Sequence, residues 1–212
     1  CSEKDKGQSN AINKGMRRAT GDIVCWINSD DVLLPGALLA VAKFYSNHPD
    51  TDFANGYTVE IDKEGTIINF THIIMSHFFF RHGCYNISQP GMFWKRAIFD
   101  KIGYLDESFH AKMDVEWLIR VYEAGLKVRR INRNLGAIRI YPETKTAQGG
   151  AIWKRDADAL KDKYHGQYLP ENNKLYQPFF KLYKLLNGCK LRNAICKWQY
   201  CGKPFTAYKE NL

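Results

Sequence analysis

Hydrophobic positions fall into short runs separated by polar, glycine-containing turns, and their period changes along the chain. Ile23-Val24-Cys25-Trp26-Ile27 is uninterrupted and free of charge, which predicts a strand buried on both faces. Before it, Ile12, Met16 and Ala19 recur at helical spacing, with Ser9 or Asn10 as candidate caps and Thr20-Gly21-Asp22 as the stop. After it, residues 32–46 read as a helix opened by Pro35 and lined by Leu38, Val41, Ala42 and Tyr45. Residues 53–61 and 66–70, joined by Asp62-Lys63-Glu64-Gly65, read as a β-hairpin. Residues 73–81 read as a short helix or a flap, with Phe78, Phe79 and Phe80 either core or an exposed apolar lip.

Further on, Gln89-Pro90-Gly91 precedes an aromatic strand, and residues 97–102 form a short helix. A second helix begins at Asp114, with Trp117, Leu118, Val121 and Tyr122 on its apolar side. Residues 127–131 and 135–141 read as the last two strands, and residues 151–164 as a mixed-charge helix. Residues 176–200 read as one or two amphipathic helices, carrying Phe179, Leu182, Tyr183, Leu186 and Leu191 and broken at Asn187-Gly188. Helices interleaved with strands predict an α/β fold, a mixed sheet flanked by helices.

At 212 residues and 45% hydrophobic content the chain suits one domain, or a domain with an appendage. No apolar run approaches the ~20 residues a membrane span needs. The chain begins at Cys1 and reaches its first strand only after a helix, which suggests a piece lacking an amino-terminal part. Six cysteines without a CxxC pair suggest reduced thiols and a cytoplasmic protein, and Cys189, Cys196 and Cys201 do not have zinc-knuckle spacing. The net charge of +9 sits mostly in residues 151–212, where 12 Lys and Arg face 5 Asp and Glu. A basic amphipathic segment suits the inner face of an anionic membrane, or equally a helix packed on the domain with its lysines in water. No motif for specific nucleic-acid binding is present, so the tail predicts at most salt-sensitive contact.

Two places carry candidate chemistry. Asp30 and Asp31 stand at the carboxyl end of the first strand, where adjacent carboxylates call for a divalent cation, or where one of them caps the next helix. Asp114 stands at the start of a helix, held by its amino terminus or serving as a cap, and Glu116 is placed to pair with Arg120. His72, His77 and His82, spaced by five, suit no single-face metal motif and read as structural.

Asp5-Lys6-Gly7-Gln8-Ser9-Asn10-Ala11-Ile12-Asn13-Lys14-Gly15, then Ala19-Thr20-Gly21-Asp22-Ile23 and Asn28-Ser29-Asp30-Asp31, resembles the middle of a family-2 glycosyltransferase of the GT-A fold. The resemblance covers residues 2–146 and implies a Rossmann-like mixed sheet, with residues 1–148 as the carboxyl-terminal portion of the catalytic domain and 149–212 as a basic helical tail. It implies an inverting transfer from a nucleotide-diphosphate sugar to a glycan, lipid-linked or cell-envelope acceptor, as in polysaccharide biosynthesis. Gly7, Asn13, Lys14 and Asn28 would lie along the nucleotide-sugar. Asp30, helped by Asp31, would hold Mg2+ or Mn2+, with Asn28 standing where the family's motif has its first acid. Gln89, Trp94 and Glu116 would face the acceptor, and Asp114 would be the general base. Tyr141 stands where the family has a histidine, which leaves Arg139 and Lys145 to supply positive charge to the diphosphate. The family's first strands would precede Cys1, so this chain alone is expected to bind nucleotide poorly. A non-catalytic carbohydrate-binding or interaction module of the same fold is the alternative. Asn28 and Tyr141 favour it, while Asp30, Asp31 and Asp114 argue against it.

Overall fold

Phe53–Ile61 forms the central strand, and eight of its nine residues are buried because neighbours flank it on both edges. The computed structural model describes residues 3–142 and 149–209. In chain order its elements are α1 (Gln8–Arg18), β1 (Ile23–Val24), β2 (Val32–Leu33), α2 (Ala37–Asn47), β3 (Phe53–Ile61), β4 (Ile67–Thr71) and α3 (His77–Arg81). Then follow β5 (Met92–Lys95), α4 (Ile98–Ile102), α5 (Met113–Glu123), β6 (Val128–Arg139), α6 (Ala151–Lys163), α7 (Gln177–Leu186) and α8 (Cys189–Tyr200). The sheet runs β1-β5-β3-β6-β2, with β4 on β3. It is mixed: β3 and β6 are parallel, and the other pairs are antiparallel.

Side-chain alternation along the strands builds a core on each face. Phe53 and Trp94 point to one side, where Met16 of α1, Ile98 of α4, and Trp117 and Leu118 of α5 cover them. Ala54 and Phe93 point to the other, under Ala37, Ala40, Val41 and Tyr45 of α2. Leu160 of α6 and Tyr168 belong to the first cluster, so the segment expected as a tail begins inside the core. At the far end Tyr208 joins Val59, Ile67, Phe70 and Ala137, and its hydroxyl accepts a 2.6 Å hydrogen bond from Asn134.

The β3–β4 hairpin, the α4 and α5 helices and the α7/α8 break at Asn187-Gly188 lie where the pattern places them. Three expectations need correction. The run from Ile23 to Ile27 is β-paired only at Ile23 and Val24, against Trp94 and Lys95. It lies at the described sheet's edge, so Val24 and Trp26 are buried while Ile23, Cys25 and Ile27 are half-buried. Val32 and Leu33 are extended because they pair with Ala137 and Gly136, and α2 starts only after Pro35; Leu38 and Ala42 consequently face solvent. The last two strands are one, β6, whose register against β3 shifts around Tyr57. The stripe read along α7 and α8 is packed only in part: Phe180 and Cys189 are buried and Tyr183 meets the Phe79 ring, whereas Phe179, Leu182, Leu186 and Leu191 are exposed.

The three phenylalanines divide, Phe80 entering the core and Phe78 facing water. The three histidines are dispersed structurally. His77 stacks on Tyr122, His82 bonds to its own helix, and buried His72 packs edge-on to Tyr57, where desolvation and nearby cations push it down to about 4.

Candidate functional site

Gly7 opens α1 with φ at +132°, a conformation that favours glycine, and brings the first turn against the His110 ring. That start directs Gln8 into a cleft of about 750 Å3 between the carboxyl end of β1, the 85–89 loop, the start of α5, the end of β6 and the start of α6. The cleft lining includes Asn28, Asp30, Asp31, Gln89, Asp114 and Arg139, so one space gathers both candidate carboxylate centres.

Asn28 is the hub of its upper wall. Its carbonyl oxygen accepts from Gln8 Nε2 at 2.9 Å, and its amide donates to Asp31 Oδ2 at 2.9 Å and Gln89 Oε1 at 3.3 Å. Asp31 Oδ1 accepts from the Arg139 backbone N–H at 3.0 Å. Both Asp31 oxygens are thus engaged, and the group is buried; desolvation pushes its pKa up against those two hydrogen bonds. These contacts make Asp31 an anchor of the loop. Asp30 is more open, its Oδ2 accepting a 3.3 Å hydrogen bond from Tyr141.

Arg139 donates from Nε to the Asp30 carbonyl and from Nη1 to the carbonyls of Asp62 and Lys63, so most of its guanidinium ties the Asp30 loop to the hairpin. Among the described residues no group of three or more His, Cys, Asp or Glu could hold a metal ion. The donor set fits a cation anchored by Asp30 and otherwise coordinated by ligand and water oxygens, not a preformed cage.

The Asn28 amide also explains the departure from an acidic residue there, because a carboxylate would face Asp31 Oδ2 with two negative charges in contact. Asn28→Asp is expected to destabilise the fold by about 1–3 kcal/mol at neutral pH. The paired carboxyls would titrate above their unfolded values, so the penalty is present at pH 7 and relieved as pH falls towards the unfolded carboxylate range. Thermal melts of both proteins at pH 7 and about pH 4 check this; a gap that does not narrow at acid pH would refute it.

On the opposite wall, α5 begins at Met113 and its N-cap, Lys112, makes no side-chain cap. Asp114 therefore lies within the first turn and is no cap, and its Oδ1 accepts a 2.8 Å hydrogen bond from the N–H of Val115. Burial is the largest influence on it and raises its pKa, while nearby Lys112 pulls the other way. Lys112 is buried, donates to Glu171 at 2.6 Å and lies 4.7 Å from the Trp153 ring. The loop leading into α5 hangs on Asp156 of α6, whose Oδ2 accepts from the backbone N–H groups of His110, Ala111 and Lys112 at 2.8, 2.6 and 3.2 Å.

Several expected residues are elsewhere. Asn13 is buried and clasps both backbone groups of Leu105, joining α1 to the turn after α4. Lys14 pairs with Glu3 and donates to the Lys4 carbonyl. Trp94, 1% exposed, packs among Trp26, Phe53 and Trp117 and offers no face to an acceptor. Glu116 is fully buried and satisfied by Arg120, Lys163 and Tyr164; the expected pairing with Arg120 is present, and the side chain does not line the cleft. Gly91 lies tight against β3, where an added Cβ would meet the Gly56 carbonyl at 2.6 Å. Lys145 lies outside the described residues. Sequence reasoning missed Tyr85, His110, Trp153, Glu171 and Asp156; no local pattern marks them, since each reaches the site by tertiary packing.

The model of glycosyl transferase family 2 matches residues 2–106. By that match residues 2–106 belong to glycosyl transferase family 2. The family match includes Asn28, Asp30, Asp31 and Gln89 and ends before Asp114. An uncharacterized glycosyltransferase of Bacillus subtilis, YwdF, is 27% identical over 184 residues, covering 81% of this chain and 65% of that protein. The amylovoran biosynthesis glycosyltransferase AmsE of Erwinia amylovora is 29% identical over 63 residues, 30% of this chain and 24% of that one. The chain thus spans less than two thirds of the length of these curated relatives. The crystal structure of S. aureus TarS in complex with UDP-GlcNAc superposes with a TM-score of 0.53 at 13% identity, over 74% of this chain and 48% of that one, a likeness of fold. The mixed sheet with flanking helices is therefore GT-A-like, as expected of a family 2 glycosyltransferase.

Proposed function

We propose that this chain carries the acceptor side and the diphosphate side of an inverting glycosyltransferase site. The acceptor hydroxyl gives its proton to Asp114 as its oxygen bonds to the anomeric carbon. The bond from that carbon to the diphosphate breaks on the opposite face, and the nucleoside diphosphate leaves. The observation carrying this reading is that Asp30 and Asp114 line one cleft, with Asp114 made more basic by burial. Asp30 is the residue that would hold Mg2+ or Mn2+, which when bound supplies positive charge against the diphosphate. Gln8 and Asn28 would orient the donor, joined there by Gln89, expected to face the acceptor but tied to Asn28 and the Trp26 carbonyl; Trp153, Tyr85 and His110 would shape the acceptor side. TarS was solved with UDP-GlcNAc, which supports a nucleotide-sugar donor, and AmsE is named for amylovoran biosynthesis, which supports a glycan product; a lipid-linked or cell-envelope acceptor is part of the proposal.

Calorimetric titration of nucleoside diphosphates, UDP first, with and without Mn2+ tests the donor side. Because this chain alone is expected to hold nucleotide weakly, weak metal-dependent binding is expected, about tenfold or more weaker still in Asp30→Ala, as loss of one charge-assisted contact predicts. Unchanged affinity in that variant would remove Asp30 from the donor site. Glycan binding that needs neither Mn2+ nor Asp114 would favour the non-catalytic module.

A further inference from the structure

Residues 172–209 carry eight Lys and Arg and no Asp or Glu. Within them α7 and α8 each use one side to hold the protein, through Phe180 and Cys189. Each also turns an apolar stripe to water: Phe179, Leu182 and Leu186 at i, i+3 and i+7, and Leu191, Ile195 and Trp198 at i, i+4 and i+7. The exposure is extreme at Leu186, 76%, and Trp198, 89%, where a monomeric soluble protein has reason to bury such groups. Exposed Lys181, Lys190 and Lys197 accompany the stripes.

We propose that α7 and α8 dock this protein on the surface of an anionic lipid bilayer. The apolar stripes would enter the headgroup and upper acyl region, Trp198 would sit at the interface, and the lysines would meet the lipid phosphates. Charge selects this occupant. A second copy of the same face would bring two acid-free basic segments together, and a nucleic acid would satisfy the lysines while leaving the leucines in water. Among the described residues no helix is long and apolar enough to cross a membrane, so the contact is with the surface. The proposal stands apart from the transfer chemistry and is tested without any sugar donor.

The full chain is sedimented with vesicles of phosphatidylcholine alone and with equimolar phosphatidylglycerol. Binding to the anionic vesicles only is expected, weakened by salt, and reduced about fivefold or more by Lys190→Glu and severalfold by Trp198→Ser. Because both side chains are exposed, unchanged thermal melts of the variants serve as the folding control. Equal binding to neutral vesicles, or no binding to either, would overturn the proposal. So would loss with Lys190→Glu but not Trp198→Ser, which marks electrostatic adhesion alone, or a lipid-independent dimer that Trp198→Ser dissociates.

Discussion

Asp114→Asn is expected to lower sugar transfer by about a thousandfold, within the 10²–10⁴ range typical for loss of a positioned general base. The variant should fold normally. The amide is close to isosteric, and its oxygen can still accept the Val115 N–H that Asp114 accepts at 2.8 Å. Stability at neutral pH should hold or rise, because burial raises the native pKa of Asp114 and its ionised form is therefore disfavoured on folding. For the same reason the acid limb of the rate profile should lie above the ordinary carboxylate range, transfer being lost as pH falls through the raised value. Initial rates against pH for both proteins, with thermal melts alongside, are the measurement. Full activity in a folded Asp114→Asn protein would end the assignment of Asp114 as base.

Asp156→Ala is expected to cost about 3–5 kcal/mol, the range for removing one partner from a buried charged network. Three backbone N–H groups, those of His110, Ala111 and Lys112, lose their acceptor at once, and Arg155 loses its 2.7 Å partner. For a chain of this size that corresponds to a fall in melting temperature of roughly 10 °C or more. Burial alone would raise the Asp156 pKa, but the N–H donors and Arg155 hold it below its usual value. Its stabilisation is therefore present above the unfolded carboxylate pKa and lost as pH drops through the lower native one. The same loop leads into Asp114, so transfer by the folded fraction should fall too, and Asp156→Asn should recover part of both. A melting change under about 2 °C would show that the loop holds itself.

What the sequence makes legible here is local. Phe53–Ile61, its turn and β4 are marked by period and by Gly65; the helix break is marked by Asn187-Gly188. Val32 and Leu33 are not legible, because two residues carry no period and a following proline looks like a helix start; only β6 makes them a strand. At the site, the Asn28 to Asp31 segment and Asp114 stand out by chemistry, and folding brings both to one cleft. The roles that the resemblance implies for Asn13, Trp94 and Glu116 do not match where folding puts them. Each is a polar or aromatic group suited to binding a sugar, yet each is buried with its neighbours already chosen. Asp156 is illegible for the opposite reason: it sits in a mixed-charge helix like any solvated acid, and only its partners more than forty residues away reveal its work.

The far end of the sheet is sealed by the last described turn of chain. Pro204 bridges to Thr66, Lys203 accepts the N–H of Ile67, and Tyr208 fills the cluster of Val59, Ile67, Phe70 and Ala137. During synthesis, strands β3, β4 and β6 leave the ribosome some seventy or more residues before Tyr208 does. Until it emerges, the nascent hairpin end lacks its cover and exposes apolar strand surface to chaperones and to other chains. Translation stalled before residue 208 would therefore leave an aggregation-prone product even though the cleft residues had all been made.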